Sequence, residues 1–532
     1  MGSRRRRITR RISSTGEHAP TPAPPGGRLA ELASSRWLVF GVCAALFLLL
    51  ALRFYDHTVD DAFISFRYAR NLVDGHGLVF NPGERVEGYT NFLWVLCASL
   101  SLAASVDPEL ACRWVGLAAS VASLAAAVRF GPSSPRHPAA LWCAPALLAV
   151  SPAFAVWATG GLEAPLFAAL IVWGTGLAAE GIERAELPAS SAVLFGLAAL
   201  ARPEGAPVAV VVAGAALALC RRERGFWPRW CVWVGVFLAI VTPYLLWRFQ
   251  YYGYPLPNTF YAKVGGSAAQ LRRGLAYAHD WLSVTGYWML PIAAAAFLAA
   301  RRRFVALLAT VAGALAALVV AVGGDGLPMY RFFVPVLGPL ALLVGWGVYA
   351  CLERVTRVGL ARAIAVAAIA AMAAYSALPA FRGSQYDYVQ QDVREVGAWR
   401  RIGVWFGEHA KPGETIAVIP AGAIPYFSRL RAIDMLGLND LHIAHREMPE
   451  LGSGQAGHEK YDVEYVLGHR PEYVIVGVYG LSPDPHPALE LVRPFYPAER
   501  ELLLHPGFAA AYRPETARTP DGHFAYFVRE AR

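Results

Sequence analysis

Residues 37–61 read "WLVFGVCAALFLLLALRFYDHTVDD". Positions 37–52 carry no charge, and two adjacent carboxylates, Asp60 and Asp61, follow within ten residues. A run of this length and composition fits a hydrocarbon layer ~30 Å thick. No small-residue cleavage signature follows it, so it reads as an uncleaved first span. The pattern then repeats. The chain has 532 residues, 56% of them hydrophobic and 16% charged, with twelve apolar blocks between residues 37 and 381. That composition excludes a large soluble enzyme and defines an α-helical polytopic membrane protein.

The net charge of +9 is not a nucleic-acid signature. Arg4, Arg5, Arg6, Arg7, Arg10 and Arg11 precede the first span, within a basic, then Pro/Gly/Ser-rich tail over 1–36 that reads as disordered and cytoplasmic. Further basic clusters lie at 221–230, 301–303 and 352–362. By the positive-inside rule these face the cytoplasm. The first loop (55–90), "YYGYPLPNTFYAK" (251–263) and "GGDGLPMYRF" (323–332) then face outward, with the stretch after 381. Twelve full crossings would return the C-terminus inside. The sequence "ARPEG" (201–205) interrupts an apolar block, and counting 190–220 as one broken element gives about eleven spans over 37–381. A partial span within 91–157 is the alternative.

Residues 382–532 have soluble composition and read as an extracytoplasmic α/β domain. Val393, Val396, Trp399, Ile402 and Phe406 give helical spacing over 388–409, which Pro412–Gly413 ends. "TIAVIP" (415–420) and "EYVIVGVY" (472–479) are short β-branched runs, and 508–528 resembles a hairpin around a Pro/Asp/Gly turn. No glycine-rich nucleotide fingerprint follows either strand. The seven cysteines match no metal or redox spacing and read as buried free thiols.

Chemistry-bearing residues concentrate in the outward loops. Asp60 and Asp61 suit general-base work, because burial and like charge push one carboxyl toward neutrality; the bland reading is a helix N-cap. Arg67 lies on a similar helical face to Asp60 and suits a phosphate. His76, in "GHGLVF", is a polar candidate for sugar contact. Arg202 and Glu204 sit between apolar runs, as a charged loop tip or a phosphate site. Asn258 and Tyr261 suit sugar hydroxyls and ring faces, and Lys263 is a compact cation suited to phosphate; aromatic belting explains the tyrosines equally well. Asp325 occupies a glycine-rich turn and Arg331 begins a span, where a cation needs a partner. "RAIDMLGLNDLHIAHR" (431–446), with His442 and His445, and "GHEKY" (457–461) read as structural or surface features, with metal binding only a weak alternative.

Together these motifs resemble, in order, those of polytopic glycosyltransferases that use polyprenyl-phosphate sugars. "DDAFISFRYARNLVDGHGLVFNPGERVEGYTNFLW", "GLEAPLF", "ARPEG", "YPLPNTFYAK", "GGDGLPMYRFFVPVL" and "IDMLGLNDLHIA" are similar to segments of the actinobacterial terminal β-(1→2)-arabinofuranosyltransferases. The likeness runs from Asp60 to about Tyr461. It implies a C-type membrane glycosyltransferase fold, a lipid-phosphate sugar donor, a cell-envelope glycan acceptor outside the cytoplasmic membrane and a carbohydrate-binding C-terminal domain. It also implies an aspartate base in the first outer loop, Asp60 or Asp61.

The expected reaction is an inverting single displacement, and the resemblance suggests arabinofuranose as the sugar. Asp60 is favoured as base, Asp61 orients it or shares its proton, and Lys263, Arg202 and Arg331, then Arg67, stabilise the leaving phosphate. Asn258, Tyr261, Asp325, Glu204 and His76 would contact sugar or acceptor. No obligatory cofactor is expected; a divalent cation is conceivable. Two other classes share these features. A transporter or flippase of lipid-linked sugars would show repeated halves and midplane charges, and no internal repeat is seen. A non-catalytic glycan-binding membrane protein would not need the acidic pair.

Overall fold

The computed structural model describes residues 35–449 and 451–530. The basic tail expected over 1–36 lies almost wholly outside them. The membrane region begins with α1 (Arg36–Leu52), which Ser35 caps. There follow α2 (Asp60–Val73), α3 (Phe92–Ala103), α4 (Pro108–Phe130), α5 (Ala140–Ala149), α6 (Pro152–Thr159) and α7 (Ala164–Glu183). Next come α8 (Ala189–Ala201), α9 (Gly205–Cys220), α10 (Phe226–Tyr252), α11 (Asn258–Lys263) and α12 (Ala268–Thr285). The set closes with α13 (Met289–Ala295), α14 (Arg302–Ala321), α15 (Val334–Leu352) and α16 (Val358–Ala377).

By length and composition, six helical stretches among the described residues can cross a membrane, or up to eight if each bent pair counts as one span. The chain is a multi-pass membrane protein. The two bent pairs are α5–α6, at 50°, and α12 with the helical stretch Met289–Leu298, at 86°. Four shorter apolar helices, α1, α3, α8 and α9, correspond to three of the eleven spans expected, since α8 and α9 were counted there as one broken element. "ARPEG" separates α8 from α9, which pack on each other across the break.

α7 and α15 are apolar on every face and almost wholly buried, so they form the centre of the bundle. α10 is equally apolar but turns Leu238, Leu245 and Phe249 outward, as a lipid-facing helix would. The cysteines are all free, as expected, but Cys231 and Cys351 are exposed rather than buried.

The polar stretch after α1 forms α2, which is not a span. It lies between the helical bundle and the C-terminal unit and is buried on most faces. Its charges are used as ties. Arg67 donates to the carbonyls of Phe80 (2.7 Å), Leu430 (2.7 Å) and Pro425, and to Asn81 Oδ1. Arg70 donates to Tyr426 O at 2.8 Å, and Asn81 to Ala432 O at 2.9 Å. On the other side, buried Glu87 accepts two bonds from Arg248 Nε of α10, at 2.7 and 2.8 Å. Such charge-assisted bonds contribute roughly 1.5–3 kcal/mol each when fully formed.

The C-terminal unit opens with α17 (Ser384–His409), four residues earlier than its hydrophobic spacing predicts. β1 (Thr415–Val418), α18 (Ala423–Ser428), β2 (Arg431–Asp434), α19 (Leu441–His445), β3 (Tyr473–Ile475), β4 (Tyr512–Thr519) and β5 (Gly522–Arg529) follow. The sheet order is β2-β1-β3-β5-β4, parallel at β2/β1/β3 and antiparallel at β3/β5/β4. The α/β expectation and the hairpin are borne out. β2 was not expected: only four residues long, it is set by pairing with β1 and lies in a segment read as a structural or surface feature.

Candidate active site

Two cavities meet where α2, α11 and the 323–331 turn approach the C-terminal unit. The larger, about 310 Å3, lies against the bundle. Its walls include Leu256, Phe260 and Val264 around α11, and Leu318 and Val322 at the end of α14. The smaller, about 110 Å3, runs between α17 and the C-terminal loops. Asp61, Lys263 and Asp325 line both.

The adjacent aspartates have different environments. The Asp60 carboxylate accepts from Gly422 N (2.8 Å) and Ala423 N (2.7 Å) at the start of α18, so both oxygens are engaged by backbone. Its burial, with Asp61 and Asp392 nearby, pushes it up to about 7 even though those two bonds act the other way. Asp61, one residue on, accepts no hydrogen bond among the described residues. Its Oδ2 lies 3.9 Å from Arg331 Nη1 and faces both cavities.

Arg331 is buried and held bidentately by Asp325, with Nε to Oδ2 at 2.7 Å and Nη2 to Oδ1 at 3.1 Å. Its guanidinium lies 5.0 Å from the Phe332 ring centre and 5.6 Å from that of Trp157. The chain reaches it through two left-handed non-glycine residues, Met329 (φ 54°) and Tyr330 (φ 51°). That conformation costs about 1–2 kcal/mol per residue and persists only where packing enforces it. Lys263, at the end of α11, lines both cavities and forms no ion pair among the described residues. Arg202 is clamped between Glu163 (Nη1 to Oε1, 2.6 Å) and Glu204 (Nη2 to Oε1, 2.6 Å), and all three line the larger cavity.

The structure therefore brings together Asp60, Asp61, Lys263, Arg202, Glu204, Asp325 and Arg331. Four other candidates stand apart or do different work. Arg67 spends its guanidinium on protein oxygens, as given above, and does not line either cavity. Asn258 donates its amide to the carbonyls of Gly437 (2.9 Å), Leu438 (3.1 Å) and Asp440 (3.1 Å), so it fastens the C-terminal unit and presents no amide to a sugar. Tyr261 packs on His445, ring centres 4.3 Å apart, at a separate outer groove. His76 is exposed beyond α2 and lines neither cavity.

Sequence reasoning missed several wall residues. Glu163 holds both Arg202 and the Asn91 amide (2.8 Å), and it carried the same signal as Arg202, an ionisable group between apolar runs. Asp392, Glu395, Trp399, Tyr479 and Tyr496 line the smaller cavity and had no motif to mark them. His458 and Asp434, from segments read as structural or surface, line it too. Burial pushes His458 down to about 4 and Asp434 up to about 6. His442 contacts Asp462 at 3.0 Å and His445 stacks on Tyr261, so the two histidines do not converge on one ligand.

The bundle, with its broken apolar helices and its C-terminal unit, has a counterpart among solved structures. The chain resembles ArnT from Cupriavidus metallidurans bound to undecaprenyl phosphate, at TM-score 0.53 and 13% identity, covering 75% of this chain and 85% of that one. In sequence it is similar to two proteins named terminal beta-(1->2)-arabinofuranosyltransferase. It is 29% identical over 257 residues to that of Corynebacterium glutamicum, covering 43% of this chain and 36% of the relative. It is 32% identical over 251 residues to that of Mycobacterium tuberculosis, covering 43% and 38%. The chain thus spans little more than a third of the length of these curated relatives. Residues 384–524 match a family described as a domain of unknown function (DUF8728).

Proposed function

We propose that this chain is an inverting glycosyltransferase, moving a sugar from a polyprenyl-phosphate donor to a hydroxyl of a cell-envelope glycan at the outer face of the cytoplasmic membrane. The observation that carries the reading is the position of Asp61. Among the described residues it is a carboxylate without a hydrogen-bond donor, at the junction of two cavities, with Arg331 3.9 Å away and Lys263 lining the same two cavities. The names of the sequence relatives favour arabinofuranose as the sugar.

The larger cavity suits the donor. Its apolar walls around α11 and α14 fit the first isoprene units, and Lys263 and Arg331 sit where a phosphate would enter. Asp61 takes the proton from the acceptor hydroxyl as that oxygen bonds to the anomeric carbon. The bond from that carbon to the phosphate oxygen breaks on the opposite face, and the electron pair leaves with the phosphate. Lys263 is free to meet the charge, and Arg331 offers Nη1, which its Asp325 clamp leaves unused. One such donor typically contributes about 10²–10³-fold in rate. Asp60 replaces its expected role as base with a positioning one: its bonds to Gly422 and Ala423 hold the C-terminal unit over Asp61. Arg202, neutralised by two glutamates, shapes the donor wall.

The test is purified protein in nanodiscs with a panel of polyprenyl-phosphate sugars, arabinofuranose among them, and a glycan acceptor. One donor should be consumed, and Asp61→Asn should lower transfer by about 10³-fold or more. Consumption of no donor, or normal transfer by Asp61→Asn, would overturn the reading.

A further inference from the structure

The smaller cavity has a character that the transfer chemistry does not require. Trp399 and Tyr479 line it with their ring centres 6.2 Å apart, and Tyr388 and Tyr496 extend the aromatic wall. The polar tips of three of these rings are already tied. Trp399 Nε1 donates to Val478 O (2.7 Å), Tyr479 OH to Glu499 Oε2 (2.8 Å) and Tyr388 OH to Gly326 O (2.6 Å). What they offer the cavity is fixed ring surface. Tyr496 is held in turn by stacking on His458, centres 4.3 Å apart.

Among these rings stands Glu395. Its one hydrogen-bond donor among the described residues is the Gln391 amide, 2.7 Å from Oε1, and no cation pairs with it. Asp392 reaches the same cavity from the preceding turn of α17, with Oδ2 taken by buried His57 at 2.8 Å. In all, six carboxyls line the space (Asp60, Asp61, Asp325, Asp392, Glu395 and Asp434) against the single ammonium of Lys263. Asp325 is neutralised by Arg331, and burial pushes Asp60 and Asp434 toward neutrality, which leaves Asp61, Asp392 and Glu395 facing Lys263; His458 is held neutral near pH 7 by burial, so it adds no positive charge. The excess negative charge opposes an anionic guest, and a carboxylate with a spare oxygen accepts from hydroxyls.

We propose that the smaller cavity is the acceptor subsite, built for an uncharged sugar residue that hydrogen-bonds Glu395 and packs against the rings of Trp399 and Tyr496, and that it turns away phosphorylated or otherwise anionic glycans. This rests on the transferase reading, which places the attacking hydroxyl at Asp61, on the shared rim. The charge pattern separates the two cavities by substrate. Arg331 lines only the donor side, Lys263 stands on the shared rim, and Asp392 and Glu395 line only the acceptor side. A misplaced donor phosphate in the smaller cavity is disfavoured by the same charge.

The experiment uses full-length Asp61→Asn protein in nanodiscs, so binding is read without turnover. Two probes are compared: a synthetic neutral oligoarabinofuranoside and the same chain carrying a terminal phosphate. The neutral chain should bind at least about tenfold more tightly than the phosphorylated one. Adding Glu395→Gln should weaken neutral binding about tenfold with an unchanged thermal midpoint, and adding Glu395→Lys should narrow the gap between the probes. Failure of the neutral chain to bind, indifference to Glu395→Gln, or equal binding of the two probes would each overturn the proposal. If binding behaves as expected while the wild type consumes no donor, the transferase reading falls and the subsite stands.

Discussion

Asp61 and Arg331 face each other at 3.9 Å across the junction of the two cavities, while Asp60, the adjacent residue, points both oxygens at backbone amides of α18. One acidic pair is thus divided between a cavity-facing carboxylate and one tied to backbone, which on the proposed reading separates chemistry from assembly. The division is a consequence of helical geometry, since consecutive residues at a helix start project about 100° apart.

Substitution should separate the two roles. Asp61→Asn keeps the volume and removes the base, so transfer should fall by about 10³-fold or more with donor binding retained. Asp60→Asn keeps one acceptor oxygen but turns an amide donor toward a backbone N–H. It should lower stability by about 1–3 kcal/mol and slow transfer only through misplacement. Transfer rates with thermal midpoints distinguish them; equal losses of rate with unchanged stability would contradict the assignment.

Lys263 is the cation least committed to protein partners. Lys263→Met should raise the donor KM and lower kcat about 10²-fold, whereas Arg202→Met should damage folding first, by stranding Glu163 and Glu204. The readout is donor saturation kinetics beside expression and melting. A Lys263→Met enzyme with wild-type kinetics would remove this residue from the phosphate site.

Gly422 packs so closely on α2 that a Cβ there would lie 1.9 Å from the Asp60 carbonyl oxygen. Gly422→Ala should therefore push α18 away from the bundle, and Arg67→Met should do so by removing the guanidinium that donates to the Leu430 carbonyl and adds a second donor to that of Pro425. Each unsatisfied buried carbonyl costs about 1–3 kcal/mol. Limited proteolysis should release the C-terminal unit faster in both variants than in wild type.

Acidity offers a further check on Asp60. Burial holds it near 7 in the folded chain, against an ordinary carboxyl near 4 when unfolded. The folded state then binds the extra proton across that window, so this group's contribution to stability falls as pH rises from about 4 to about 7 and is level above. Wild type should lose more stability than Asp60→Asn between about pH 5 and pH 7.5 in thermal unfolding. Parallel curves would exclude the effect.

Charge neutralisation by Lys263 and Arg331 also predicts that chelation leaves turnover intact. Treatment with EDTA, read as initial transfer rate, should change it less than about twofold; abolition reversed by a divalent cation would place a metal at the phosphate instead.

Much of this site was legible because charge beside apolar sequence is costly and therefore informative. Arg331 was marked by that cost, Asp61 by its acidic neighbour, Asp325 by its glycine-rich turn, Lys263 as a compact cation and Arg202 by its place between apolar runs, and the structure gathers them at the cavities. The same signal misled at Arg67 and Asn258, since a buried guanidinium or amide that ties two parts of a fold looks, in sequence, like one awaiting a ligand. Glu395 and Trp399 were invisible for the opposite reason. On an amphipathic helix of ordinary soluble composition nothing distinguishes a cavity wall from a surface. The different surroundings of Asp60 and Asp61 could not be read in sequence, because they are set by Gly422, 362 residues away.

That separation has a consequence for how the protein comes into being. Asp60 is synthesised early, while the amides that secure it and the strands behind them belong to the last quarter of the chain. A nascent protein can insert its helices yet possess no finished reaction chamber. On the proposed reading, transfer would begin only once the C-terminal unit has docked on Asp60.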